Sequence, residues 1–328
     1  MIVARLFLPL LLFGQQLYEE KLSDTLALRE QLYQQMNLHA DQQLLRHRLG
    51  YPALALSVSG PLRLERTGED SVATYYRLFL PVSHQMDAYG LYIVPKKLAA
   101  HRAPLVISQH GGGGTPESAT YNGASNYKDQ VRGAVAEGYV VFAPWTVMYP
   151  FGDRNNGTTI PPDVRKQLDE KFRSVGSSLF AVEVRKISLV LDELLKRPEI
   201  DPKRIAMIGL SYGGYYSLYT AALDPRIGVV VASGSFADIA PLSAATIEGR
   251  PYDLRTAEIA ALIAPRPLQL QIGNHDQGLP VEISRRAAAR VALVYEKLKA
   301  KDRFAFETFD GGHEFHGALV WPFLKKWL

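Results

Sequence analysis

The chain has no cysteine among its 328 residues, which removes disulfides, a thiolate nucleophile and thiolate metal sites in one stroke. The apolar stretch LFLPLLLF after Arg5 is far shorter than the roughly 20 residues a membrane-spanning helix needs, so no transmembrane anchor is expected. The formal net charge is +4, but no Lys/Arg block interleaved with aromatics suggests a groove for nucleic acid. Phosphate cradles lack their signatures too: no G-x-G-x-x-G opens a helix and no G-K-[S/T] is present. Internal repeats and low-complexity tracts are missing. What remains is a composition of 47% hydrophobic and 21% charged residues, ordinary for a soluble globular protein with a large core. The length suits one α/β unit.

The amino end reads two ways. Arg5 and its apolar run resemble the start of a secretion signal, with Gly14 a small residue at a cleavage point, yet no A-x-A-like site follows. The continuation through Leu22, Leu26, Arg29, Leu32, Tyr33 and Met36 has helical periodicity. Residues 1–50 are therefore expected to form a retained helical arm that packs on the body or on a second copy, making a homo-oligomer, in a cytoplasmic protein. The alternative is secretion with residues 1–14 removed.

From about residue 72 strand-like and helix-like segments alternate, the pattern of a sheet covered on both faces. TYYRLFLP and GLYIVP read as an antiparallel pair; PLVISQH, YVVFAP, RIAMIGL, IGVVVAS, PLQLQIG and FAFETFD follow as short apolar strands, for about eight in all. SLFAVEVRKISLVLDELLKRP is the strongest helix, SRRAAARVALVYEKLKA another, and VWPFLKKWL a short terminal one. The predicted catalytic domain runs over 51–328, with pocket-forming insertions near 145–178 and 233–265. Both insertions follow strand ends, where open α/β sheets bind ligands.

Chemistry enters at RIAMIGLSYGGYYS. An apolar strand ends, a serine stands between glycines, and a helical spacing of Tyr212, Tyr215, Tyr216, Tyr219 and Leu223 begins. A corner that sharp puts Ser211 in strained geometry, and Gly209 and Gly213 remove the Cβ atoms that would collide with it.

G-L-S-Y-G resembles the nucleophile elbow of the α/β-hydrolase superfamily. There the order along the chain is Ser, acid, His, the acid after a late strand and the histidine after the last one. The matching positions here are Asp276, after PLQLQIG, and His313, after FAFETFD. The resemblance thus implies Ser211 as nucleophile, His313 as general base and then acid, and Asp276 as the carboxylate that orients it. Asp238 and Asp310 are the substitutes for the acid, ahead of Glu314 and Glu282; His316 and His275 are the rivals for the base. The backbone N–H of Tyr212 would give one oxyanion donor, and Gly112 or Gly113 of the Gly111–Gly114 run the other. Trp145, Tyr149 and Phe151 are candidates to line the substrate pocket, although core packing explains such aromatics as well.

LLKRPEIDPKRIAMIGLSYGGYYSLYTAALDPRI and LIAPRPLQLQIGNHDQGLP resemble a bacterial esterase branch with dienelactone-hydrolase-like and acetyl-xylan-esterase-like members, a likeness that extends over about residues 72–328. It implies a carboxylesterase-type serine hydrolase that needs no metal or other cofactor and cleaves small or medium acyl esters, acylated sugars among them, through an acyl-enzyme. Two departures matter. Some sugar-deacetylating members carry Gln after the serine where this chain has Tyr212, and the dienelactone enzymes use a cysteine that this chain lacks. The competing readings are an oligopeptidase-like peptidase or amidase and a catalytically silent binding protein of the same fold.

Overall fold

All seven residues of strand β4 (Ala103–Gln109) are buried, as are all five of β5 (Val140–Pro144) and β7 (Val229–Ser233) and all six of β8 (Leu268–Gly273). Burial of both faces is why these segments are continuous apolar runs and do not alternate. They belong to a computed structural model that describes residues 38–52, 56–98, 101–147, 162–236 and 256–328. Residues 40–328 form one compact unit.

The described residues form a nine-stranded sheet. Its remaining strands are β1 (Arg63–Glu69), β2 (Ala73–Ser83), β3 (Met86–Pro95), β6 (Ile200–Leu210) and β9 (Phe304–Phe309). The order is β1-β2-β3-β5-β4-β6-β7-β8-β9. β1, β2 and β3 run antiparallel to their neighbours; from β5 to β9 every pairing is parallel. The expected β2–β3 pair is present, in constant register from Ala73 opposite Pro95 to Pro81 opposite Asp87, with a shift before Ser83 opposite Met86.

Strand β1 is the one beyond the expected set. Its sequence, RLERTGE, is mostly exposed and carries no apolar alternation, so periodicity gives it no signal. It forms because β2 offers a free edge, and its charges then blunt the new edge against further pairing.

The helices are α1 (Leu38–Leu49), α2 (Pro116–Tyr121), α3 (Gln130–Ala136), α4 (Pro162–Ser174), α5 (Leu179–Leu194), α6 (Tyr212–Leu223), α7 (Thr256–Ala261), α8 (Val281–Lys297) and α9 (Gly317–Trp327). Helix α5 is the predicted one, capped by the Ser178 side chain, which accepts the N–H of Ala181. Helix α4 lies inside the first predicted insertion; its Asp169 accepts the N–H of Leu179 and so ties it to the start of α5. Helix α1 is fastened to the body: Gln42 and Arg46 donate to the Ala222 and Leu223 carbonyls at the end of α6, each at 2.6 Å. These are orphan carbonyls of a helix terminus. Among the described residues no helix is long and apolar enough to cross a membrane.

Candidate active site

Ser211 stands where β6 turns into α6, with φ 59° and ψ −124°. A non-glycine residue rarely adopts such angles, and holding it there costs about 1–3 kcal/mol that the surroundings must over-determine. They do so by close packing. A Cβ on Gly209 would lie 2.3 Å from the Gly213 carbonyl, and one on Gly213 2.2 Å from the Gln109 oxygen. The Ser211 N–H donates to the Ser233 carbonyl at 2.8 Å, which locks the corner to the end of β7.

Beside the corner lies the glycine loop that follows β4. A Cβ on Gly111 would sit 3.3 Å from the Ser211 Cβ and 2.9 Å from the Leu210 oxygen, so only glycine lets the two loops approach this closely. The Tyr212 ring covers Gly112. The Gly111 N–H donates to the Tyr127 hydroxyl and the Gly114 N–H to the Gly111 carbonyl. Among the described residues, the amides of Gly112 and Gly113 have no such acceptor, and these are the two donors the sequence singles out.

His110 pins the loop from below, a role sequence reasoning missed. The ring is wholly buried, and burial depresses its pKa to about 4 although the hydrogen bond to Gly111 works the other way. Its tautomer follows from its partners. The Gly111 carbonyl can only accept, so Nδ1 carries the proton at 2.9 Å; Nε2 accepts the Thr146 N–H at 3.3 Å. The signal available beforehand was the histidine that opens H-G-G-G-G.

The acid and the histidine arrive on neighbouring loops that are sewn together. Asn274 N–H donates to the Phe309 carbonyl and His275 N–H to that of Gly311. A Cβ on Gly273 would lie 2.2 Å from the Gly312 oxygen. The result is a hydrogen bond of 2.7 Å between His313 Nδ1 and Asp276 Oδ2, with the Asp276 side chain fully buried and that of His313 37% exposed. The other carboxylate oxygen accepts the N–H groups of Gly278 and Leu279. Burial alone would raise the Asp276 pKa; the His313 hydrogen bond and charge, with those two amides, outweigh it and hold it below the ordinary aspartate value.

The His313 ring packs against Gly234, where a Cβ would be 3.2 Å from both Cε1 and Nδ1. Gly234 directly follows Ser233, the residue that accepts the Ser211 N–H. Ring and elbow therefore share the end of β7. A hydrogen bond between the Ser211 hydroxyl and His313 is not among those the described residues form. Such contacts are commonly looser without substrate and tighten when it binds.

The rival residues are placed elsewhere. His275 and Asp310 pair with each other at 2.9 Å, with side chains 72% and 92% exposed. His316 stacks on Phe309 at 4.5 Å. Asp238, Tyr149 and Phe151 lie outside the described residues. Trp145 follows the end of β5 as expected; its ring carries the Lys186 ammonium at 5.6 Å, above a buried Lys186–Glu183 ion pair. Among the described residues no group of three or more His, Asp or Glu side chains could hold a metal ion.

A mostly parallel sheet with a strained serine at the end of a central strand, the strand crossing over to a helix, and an Asp–His pair on the last two loops is the architecture of the α/β-hydrolase fold. The chain has the α/β-hydrolase fold. The family model for the prolyl oligopeptidase family matches residues 166–260, a segment that includes the elbow. YtaP of Bacillus subtilis (strain 168), provisionally named a hydrolase, is 27% identical over 289 residues, covering 81% of this chain and 91% of that one. Among solved structures the chain resembles Methylesterase BT1017, with a TM-score of 0.69 and 20% identity over 90% of this chain; it spans only 64% of that protein. An acetyl xylan esterase, provisionally so named, from Bacteroides fragilis NCTC 9343 gives a TM-score of 0.69 at 17% identity, covering 89% of this chain and 88% of that one. The glucuronoyl esterase of Solibacter usitatus gives 0.60 at 16%, covering 86% and 91%.

Proposed function

We propose that this α/β-hydrolase is a carboxylester hydrolase that works through an acyl-enzyme on Ser211. The hydroxyl proton passes to His313 Nε2 as the Ser211 oxygen bonds to the acyl carbon. Negative charge then develops on the former carbonyl oxygen, where the amides of Tyr212 and of Gly112 or Gly113 receive it. Collapse breaks the bond to the alcohol, which leaves with the proton from His313. Water repeats the sequence, giving its proton to His313 while its oxygen attacks the acyl group; the acyl–Ser211 bond then breaks, Ser211 Oγ takes the proton back from His313, and the acid departs. Asp276 stays ionised throughout and holds the Nδ1 proton, so that Nε2 faces the chemistry.

The observation that carries this reading is the 2.7 Å Asp276–His313 bond set beside the elbow serine. The choice of esters is supported by the named activities of the solved structures it resembles, which are methylesterase, acetyl xylan esterase and glucuronoyl esterase. Their names also make a sugar-borne ester the substrate class to try first. Trp145 would form part of the wall for the acyl or alcohol group.

A peptidase reading has one specific observation in its favour, the match of residues 166–260 to the prolyl oligopeptidase family. A series of p-nitrophenyl acyl esters and acetylated xylo-oligosaccharides, assayed beside aminoacyl-anilides, separates the two. Turnover confined to the esters is the expected result. Preferential cleavage of the anilides would transfer the site to amide hydrolysis.

A further inference from the structure

The loop between α2 and α3 touches both halves of the catalytic apparatus while contributing nothing to either reaction partner directly. Tyr127 is buried, and its hydroxyl accepts the Gly111 N–H at 2.9 Å. The same oxygen fills the space at Gly114, where a Cβ would be only 2.0 Å away. It thereby sets the height of the glycine loop over Ser211. The neighbouring Asn126 grips the histidine loop at two points: its side-chain amide donates to the His313 carbonyl at 3.1 Å, and its own carbonyl accepts the Phe315 N–H at 2.9 Å. Lys128 adds an ion pair of 3.4 Å to Glu314. Immediately afterwards the chain takes two left-handed residues in succession, Lys128 at φ 45° and Asp129 at φ 57°, neither of them glycine. Strain of this kind persists only where surrounding contacts enforce it, and it clusters at functional sites.

The geometry points to Asn126 and Tyr127 as positioning residues that fix the distance between the oxyanion loop and His313. One turn of chain holds both, so the oxyanion donors and the general base are set against a common reference. That arrangement matters because the transition state needs donors and base in place together, and small misplacements are expensive in rate. The inference rests on the ester-hydrolase reading of the same site.

The test compares Tyr127→Phe, Asn126→Ala and Ser211→Ala in the full chain, with turnover expressed per active site titrated by a fluorophosphonate probe. That normalisation removes losses caused by misfolding. Tyr127→Phe is expected to lower kcat per titrated site on the order of 10- to 100-fold with KM changed less than about twofold. Asn126→Ala is expected to lower kcat per site by about tenfold, again with KM changed less than about twofold. A double variant should lose less than the product of the two single effects, since both act through one turn. Unchanged kcat per titrated site in Tyr127→Phe and Asn126→Ala overturns the inference while leaving the hydrolase reading intact. Labelling and turnover that persist in Ser211→Ala overturn the reading itself, whatever the other variants do.

Discussion

His110 and His313 both stand just past the ends of parallel strands, yet the molecule holds the two rings in opposite ways. His110 is wholly enclosed, has no carboxylate beside it among the described residues, and spends both nitrogens on backbone groups. Its pKa falls to about 4, so it stays neutral at ordinary pH and serves as a pin. His313 spends one nitrogen on a buried carboxylate and keeps a partly exposed ring over the elbow. The carboxylate makes the difference. In the proposed reaction it would stabilise the imidazolium formed when the serine is deprotonated, whereas at His110 the one offset to a buried charge is the Gly111 carbonyl, and burial outweighs it.

The most severe way to erase this contrast is to take the charge from Asp276. Asp276→Asn should keep the fold, because the amide can still be seated between Gly278, Leu279 and His313, but offer the ring the wrong hydrogen-bonding partner. Ester turnover should fall by about 10⁴ with little change in melting temperature. A loss below tenfold in steady-state assays would make His313 no more dependent on its partner than His110 is.

Next comes the packing of the elbow against the His110 loop. Gly213→Ala drives a methyl toward the Gln109 and His110 carbonyls, 2.2 and 2.6 Å from the Cβ position, and the neighbours are backbone that cannot swing aside. The expected destabilisation is about 3–5 kcal/mol by denaturant unfolding, with activity lost in parallel. A variant as stable as the parent would show that the elbow and the His110 loop are not in contact as described.

The pin itself should be visible in the pH dependence of stability. The His110 pKa is near 4 in the folded chain against an ordinary value of 6.5, so between those values the unfolded chain binds more protons and stability drops as pH falls. The contribution is present in full above about pH 6.5 and is lost progressively toward pH 4, to a total of roughly 3 kcal/mol. Asp276, whose pKa is lowered, adds its own loss only at lower pH, as the solution falls below the ordinary carboxylate range. Melting temperatures measured from pH 7 to pH 4 should decline steeply in the parent and less so in His110→Gln; parallel curves would remove the pin. The smallest effect belongs to the exposed His275–Asp310 pair, since surface ion pairs contribute little. His275→Ala should leave both turnover and melting temperature within experimental error.

The elbow was legible in the sequence because its geometry is local: a buried strand, a serine and the glycines it needs occupy one short stretch. Asp276 and His313 were legible through the order of strands, which the fold preserves. Strand β1 was not, since an edge strand of Arg, Glu, Thr and Gly looks like a polar loop until a partner is supplied. Nor was the work of Tyr127 and Asn126. The value of TYNGASNYKDQ lies in contacts to residues 16 and 187 positions away. No spacing rule reaches that far. His110 stood in plain view before its glycines, but only burial and the carbonyl beside it separate a pin from a base.

The central claim concerns a covalent bond, and it can be observed directly. Rapid quench of the enzyme with a p-nitrophenyl acetate excess, followed by peptide mass spectrometry, should find an acetyl group on Ser211 in the parent chain, in more stable form in His313→Ala once loaded, and nowhere in Ser211→Ala. An acetyl group on another residue, or undiminished hydrolysis by Ser211→Ala with no adduct in the parent, would contradict it.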